Sequence, residues 1–226
     1  MYGGYVEYSD GSANNNKVVL ENVTVGGSLS GGNVAGIGSA NNNSLILKGV
    51  NKETIGNMFG GTVYEGTADG NTVTIEDSTI NSQLFGGAVI SDGTANNNTV
   101  VLKSGTFAND IVGGFVLGDG TASNNTVILQ GGTVKAAVKG GVATTAINNK
   151  FHIYGTADLS AAKLYGNDSG TDITGNTIYF GTEDQKTAWT PVTYSIAEVH
   201  NFEKTVFNAA KWGQTITVNT LDNHSG

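Results

Sequence analysis

A seven-fold internal repeat limits what this chain can fold into more than any other feature of its sequence. The pattern combines a glycine pair with an Asn that opens a short run of alternating apolar residues. The steps between successive copies are 27, 28, 27, 27, 24 and 27 residues. The asparagines that open the runs are Asn16, Asn43, Asn71, Asn98, Asn125, Asn149 and Asn176. A fixed period of this length predicts a repeat architecture, in which each copy packs only on its neighbours.

Each copy contains three short strand candidates, separated by turns rich in Gly, Asn, Asp and Ser. The first follows the Asn, as at 98–102, and the third is built on the glycine pair, as at 60–63. The second is a Thr followed by an apolar residue, such as Thr24 with Val25 or Thr54 with Ile55. β-branched residues dominate, and no helical period is present. Three strands in about 27 residues predict an all-β fold, a right-handed parallel β-helix, or β-solenoid.

The clarity of the repeat divides the chain into two parts. Residues 1–180 carry seven clear copies, which predict seven coils, whereas residues 181–226 carry only strand-like apolar spacing. We interpret the second part as degenerate C-terminal coils that continue the same solenoid, because terminal repeats are usually atypical. This tail contains both tryptophans, Trp189 and Trp212. They either fill a closing core or form a platform on which a sugar could stack.

The first strand of each copy predicts which side chains face inward. Its outer two positions are always apolar, and its middle position varies. Since side chains alternate faces along a strand, the apolar pair points inward and the middle residue outward. Four outward residues are themselves apolar and would form an interrupted stripe: Val19, Ile46, Val101 and Ile128. The stripe is either an association surface or the ordinary preference of exposed strands for β-branched residues.

The turns repeat as strictly as the strands. The sequence Gly-(Ser/Thr)-Ala-x-x-Asn recurs at Gly11, Gly38, Gly66, Gly93 and Gly120. Glycine at a fixed offset supplies a backbone shape that other residues resist. The seven asparagines in register predict a structural ladder of side-chain amides, as in other in-register stacks. The alternative is a row of amides that binds a ligand.

The residue before the turn glycine is acidic in four of five copies. These residues are Asp10, Glu65, Asp92 and Asp119, and Ile37 is the exception. In register, the acids would lie about 5 Å apart, where like charges repel. A hard cation such as calcium would relieve this repulsion. The simpler interpretation is a row of turns with solvated carboxylates, which holds no metal.

Composition excludes several classes of function. The chain has no arginine and no cysteine, and 19 acids outnumber 11 lysines, which gives a net charge of −8. Without a basic patch, nucleic acid is excluded as a partner. Without cysteine there are no disulfides, thiolate metal sites or cysteine nucleophiles. No apolar stretch approaches the roughly 20 residues of a transmembrane helix, so we expect no membrane span.

Residues suited to catalysis are few and scattered. The three histidines, His152, His200 and His224, match no metal-ligand spacing. No nucleophile elbow or phosphate-binding loop is present. Paired acids such as Glu76 and Asp77 are adjacent on a strand and point apart, so they suit a two-carboxylate glycosidase poorly. We therefore expect no enzyme activity and no cofactor.

The coil motif resembles that of a known class of bacterial surface protein. Gly-Gly-x-Val, followed by Gly-(Thr/Ser)-Ala-x-x-Asn-Thr-Val-x-Leu, is similar to the passenger repeats of type V autotransporter adhesins, above all those of fusobacteria. The resemblance covers about residues 2–180, and residues 194–202 are similar to segments that follow such repeats. It implies a secreted β-helix displayed on the bacterial outer surface by a separate C-terminal barrel. It implies no binding residues, and we expect neither a signal peptide nor the barrel in this sequence.

These observations lead to one expected function and several alternatives. We expect a non-enzymatic adhesin or stalk segment that mediates or spaces cell-surface adhesion. Its partner would be a host or bacterial surface protein or glycan. The alternatives are a self-association module and, in a different class, a polysaccharide-active β-helix enzyme or a phage tail-spike segment.

Overall fold

The structure is a computed structural model that describes residues 1–7, 10–168, 172–181, 193–207 and 215–224; for residues 223 and 224 it describes the backbone alone. Every secondary-structure element assigned in these residues is a β-strand, and the strands pair in parallel in three sheets. Stacked coil on coil, the sheets form a parallel β-solenoid, so the predicted all-β solenoid architecture is confirmed. Trp189 and Trp212 lie outside the described residues.

Sheet 1 is the longest and runs the length of the described stack. It has twelve strands, nine of them in one continuous path. The strands of the path are Tyr2–Val6, Leu29–Ser39, Met58–Thr67, Leu84–Val89, Ile111–Val116, Ala137–Val142, Leu159–Asn167, Thr193–Phe202 and Thr215–His224. The three short strands beside the path are Gly11–Ser12, Gly93–Thr94 and Gly120–Thr121. The last two strands of the path place the described part of the tail on the same stack as the repeats.

Sheets 2 and 3 close each coil. The eight strands of sheet 2 are Lys17–Glu21, Ser44–Lys48, Thr72–Glu76, Thr99–Leu102, Thr126–Leu129, Lys150–Ile153, Thr177–Phe180 and Lys204–Phe207. The five short strands of sheet 3 are Thr24–Val25, Asn51–Lys52, Ser78–Ile80, Gly105–Phe107 and Thr133–Val134. Equivalent residues of successive copies are direct register partners, as in Val100 with Val127. The sequence repeat is therefore a spatial repeat.

The main core lies between the three sheets. The inward pairs of sheet 2, such as Val73 with Ile75 and Val127 with Leu129, are fully buried there. Side chains from Leu29–Ser39 and its partners in sheet 1 complete this core. Burying apolar surface stabilises a fold by about 25 cal/mol per Å², and each coil adds an almost identical layer.

A bend at the glycine pair gives sheet 1 a second, smaller core. Residues before the pair, such as Leu84, face the main core, whereas residues after it, such as Val89, pack against a row of alanines. A Cβ added at Gly87 would overlap both the Ala68 carbonyl oxygen and the side chain of Asn98. Only glycine lets the backbone pass this closely, which explains why the pair recurs.

The predicted second strand is wrong in one copy. The sheet 3 strand in that coil is Asn51–Lys52, and Thr54 and Ile55 lie in the bend that follows it, where Ile55 is exposed. Register places Lys52 beside Val25 and Ile80, so a lysine occupies an inward position and is fully buried. Its ammonium group donates to the carbonyl oxygens of Glu53, Ile55 and Gly56 at 2.7, 2.7 and 3.0 Å.

Both ends of the described stack are open strand edges. At the C-terminal end, Phe207 and Leu221 stand at inward positions but are 63% and 57% exposed, because no further described coil stacks on them. No helix in the described part of the chain is long and apolar enough to cross a membrane.

Candidate functional site

The seven asparagines of the repeat lie in one row along the inside of the bend. From Asn43 to Asn176, each side-chain oxygen accepts a hydrogen bond from the backbone N–H of the Asn one coil earlier, at 2.8 to 3.0 Å. As far as Asn149, it also accepts from that residue's side-chain amide, at 2.9 to 3.2 Å. Asn16 is half-buried, and the other six asparagines are fully buried between the core and the glycine pairs. A ligand in solution could not reach these amides.

The acidic turn row lies just before the turn glycines, several residues after the glycine pair of each coil. Register places Ile37, Glu65, Asp92 and Asp119 in successive coils of one column, with Asp10 before the first turn glycine. The Asp92 carboxylate accepts a hydrogen bond from the backbone N–H of Asp119 at 2.8 Å. Among the described residues, no group of three or more acids and histidines could hold a metal ion. The row is a line of exposed or half-exposed negative charge.

The predicted apolar stripe lies on the outer face of sheet 2. Val19 and Ile46 are register partners, Thr74 interrupts the row, and Val101 and Ile128 continue it. Val19 is exposed and the other three are half-buried. The next two positions are aromatic: His152 and Tyr179 stack with ring centroids 4.6 Å apart. Burial, assisted by the charge of Lys150, lowers the pKa of His152.

The histidines whose side chains are described lie on different sheets. His152 is on sheet 2 and His200 on sheet 1, and the side chain of His224 is outside the described set. His152 stacks on the ring of Tyr179, whereas His200 stacks on Tyr165 and contacts Glu198. The structure therefore brings no sequence-predicted catalytic candidates together within the described residues.

An apolar cluster on the outer face of sheet 1 was not predicted from the sequence. Along Leu84–Val89, Leu84 points into the main core and Phe85 points the opposite way. Three residues of this outer cluster are nearly inaccessible although they lie outside the solenoid: Phe85, Ala88 and Val112. Phe59, Phe115 and Val142 pack against them. The Phe85 ring centroid is 5.2 Å from that of Phe59, in a stacked pair, and 5.4 Å from that of Phe115, edge to face.

A row of exposed apolar side chains borders the outer cluster. Tyr64, Ile90 and Leu117 follow the buried valines of three successive coils and are 51%, 42% and 68% exposed. We call these three residues the shoulder row. Leu117 also lines an open pocket with Phe115, Val142 and Asp168. The signal in the sequence was a large apolar residue after Gly-Gly-x-Val in three copies, but Glu7 and Ala35 take this place in two others, and the loops that follow differ in length.

A network of polar contacts, among them a lysine–glutamate ion pair, crosses the C-terminal strands of sheet 1. Lys163 contacts Glu198 at 2.8 Å, and Glu198 lies 3.0 Å from Nε2 of His200, whose Nδ1 is 3.7 Å from Asp222. The hydrogen bond from Lys163, followed by that from His200, lowers the pKa of Glu198. The ring of Tyr165 stacks on His200 at 4.8 Å. The network joins three neighbouring strands and so ties the last coils together.

Comparison of the chain with protein-family models, with curated proteins and with solved structures found no match. The fold and the surfaces described above therefore carry the functional argument alone. The resemblance to autotransporter passengers stays a prediction from the repeat motif.

Proposed function

We propose that this chain is a non-enzymatic segment of a bacterial surface adhesin or stalk of the autotransporter type. The observation that carries the proposal is the exposed shoulder row, a line of large apolar side chains on the flank of a uniform stack. Exposed apolar side chains that stand next to one another on a protein surface often mark an interaction site. The in-register coils hold the row at fixed spacing, as a surface for adhesion or spacing requires.

Adhesion of coated beads tests this proposal directly. Beads carrying the chain are mixed with host cells and with co-resident bacteria, and bound beads are counted. We expect binding above that of uncoated beads on at least one cell type, with loss of binding in the double variant Ile90→Ser, Leu117→Ser. Binding no greater than that of uncoated beads on every surface would contradict an adhesive role. Release of reducing ends from a panel of glycans would contradict a non-enzymatic one.

A further inference from the structure

The shoulder row combines an apolar surface with a line of negative charge. Glu65 follows Tyr64 directly, Asp92 lies two residues after Ile90, and Asp119 lies two residues after Leu117. Asp92 and Asp119 are exposed, and Glu65 is half-buried. Both rows climb the stack at the spacing of successive coils, about 4.8 Å. The two rows are therefore parallel and adjacent over three coils.

Positive charge near these rows is already paired. Lys139 contacts Asp168 at 3.0 Å and Asp110 at 3.8 Å, and Asp168 lines the pocket beside Leu117. The chain as a whole carries a net charge of −8. A surface of one sign attracts partners of the opposite sign and repels its own kind.

We propose that the shoulder row and the acidic row together dock a cationic amphipathic polypeptide segment. Apolar side chains of the segment would pack on Leu117, Ile90 and the neighbouring pocket, while its lysines or arginines would face Asp92 and Asp119. The inference rests on the proposed adhesive function and names the chemistry of the partner.

The same surfaces disfavour two other occupants. A second copy would bring its own acidic row and net charge of −8 against this one, which costs electrostatic energy. A glycan is bound through flat aromatic faces and many hydrogen bonds, yet only Tyr64 of the shoulder row offers an exposed ring, and Ile90 and Leu117 are aliphatic. A segment that carries both apolar side chains and positive charges can pack on the shoulder row and pair with the acidic row at the same time.

Peptide binding in solution tests the proposal. The probe is a fluorescent peptide of alternating Leu and Lys, with Leu–Glu and Ser–Lys peptides of equal length as controls, and the readout is anisotropy. We expect saturable binding of the Leu–Lys peptide alone, weakening as salt rises. The variants Leu117→Ser and Asp119→Asn should each weaken binding by about ten-fold, the loss of one good contact. If the Ser–Lys peptide binds as well as the Leu–Lys peptide, apolar packing on the shoulder row is overturned. If the Leu–Glu peptide binds as well, charge pairing with the acidic row is overturned.

A matched double variant on another face keeps the test specific. Val23→Ser with Glu21→Gln makes changes of the same kind at the end of the first strand of sheet 2 and in the turn after it, where both residues are exposed. We expect it to bind the Leu–Lys peptide like the wild type, and a loss equal to that of the shoulder variants would overturn the proposed location. Bead adhesion without peptide binding refutes this inference and leaves the adhesive function standing. Peptide binding without bead adhesion refutes the adhesive function and leaves the peptide-docking surface standing.

Discussion

At the scale of single residues, the asparagine triplets show how three identical side chains take three different roles. Asn96 accepts a hydrogen bond from the backbone N–H of Ser123 in the next coil, at 2.7 Å. Asn97 adopts a left-handed backbone conformation, with φ of 57°. Asn98 points inward and accepts from Asn71 in the preceding coil. Successive side chains therefore bond in opposite directions along the stack, which ties each turn to both of its neighbours.

Replacing the inward member of a triplet should be costly. Asn98→Ala leaves the backbone and side-chain donors of buried Asn71 without their acceptor, so we expect a loss of about 2 to 4 kcal/mol in the free energy of unfolding. Asn97→Gly, one residue away, suits the left-handed conformation and should change stability by no more than about 0.5 kcal/mol. Urea denaturation of both variants measures the difference, and equal effects would contradict the assignment of roles.

The glycine pair offers an equally sharp comparison. In Gly87→Ala the new methyl group would overlap the Ala68 carbonyl and the Asn98 amide. The Asn98 amide cannot move without breaking its hydrogen bonds in the asparagine row. We expect a loss of about 3 kcal/mol or failure to fold. At Gly27 an added Cβ meets nothing within 4 Å, so Gly27→Ala should be within about 0.5 kcal/mol of the wild type. A stable Gly87→Ala chain would show that the bend does not require glycine.

The acidic turn row should not need a metal. Because the Asp92 carboxylate accepts a backbone hydrogen bond from Asp119, part of the charge repulsion is relieved by the protein itself. We expect the thermal unfolding midpoint to be the same in EDTA and in calcium. A midpoint that rises with calcium, and that loses this response in Asp92→Asn, would establish the calcium row instead.

At the scale of elements, sheet 3 is the least regular part of the coil. Its strands are two or three residues long, and its inward column runs through Val25, Lys52, Ile80, Phe107 and Val134. A buried lysine is tolerated because the following bend wraps three carbonyl oxygens around its ammonium group. Burial lowers the pKa of Lys52, and the charge of Glu53 opposes this shift.

Variants at Lys52 separate its packing from its charge. Lys52→Met keeps the stem and should change stability at neutral pH by less than about 1 kcal/mol, whereas Lys52→Ala leaves a cavity and should cost about 2 to 3 kcal/mol. Because the folded pKa lies below the unfolded value of 10.5, the unfolded chain binds more protons in the interval between them. Wild-type stability should therefore rise relative to Lys52→Met as pH increases through that interval. A difference in the free energy of unfolding between the wild type and Lys52→Met that stays constant at alkaline pH would contradict the lowered pKa.

At the scale of the whole molecule, each coil rests on two neighbours except at the ends. Leu102 is fully buried between Ile75 and Leu129, its register partners on either side. Leu221 holds an inward position in the last described coil and has a register partner on one side only, Val199. The stability of such a stack is the sum of coil and interface contributions, so a change in the middle weakens two interfaces.

Truncation of one leucine in a middle coil and one in the last described coil should reveal this difference. Leu102→Ala removes methyl groups from the closed core and should cost about 3 kcal/mol or more. Leu221→Ala removes them from an exposed edge and should cost less than about 1 kcal/mol. Thermal unfolding monitored by circular dichroism measures both variants. For Leu102→Ala we expect a single transition with a lowered midpoint. Equal losses would mean that the terminal coil is as tightly covered as the middle ones.

Periodic positions were predictable from the sequence, and aperiodic ones were not. The inward pair at Val100 and Leu102 follows from two-residue alternation, which is a property of any strand. Lys52 could not be placed inward, since its burial depends on the carbonyl oxygens of a bend that no local pattern describes. Thr54 and Ile55 fit the strand pattern, but register with the neighbouring coils selects Asn51–Lys52, because Asn51 follows Asn43 at the same eight-residue offset that separates Thr79 from Asn71.

The sequence by itself determined that this chain is a stack of coils, because a 27-residue period with alternating apolar residues has no other way to bury its core. It also named the asparagines and glycines that recur. Only the tertiary structure decided that sheet 1 bends at the glycine pair. That bend brings Phe85, Ala88 and Val112 together on the outside and leaves Leu117 exposed beside Asp119. Alternation assigns a side chain to a face, but the curvature of the backbone decides whether that face is sealed or open.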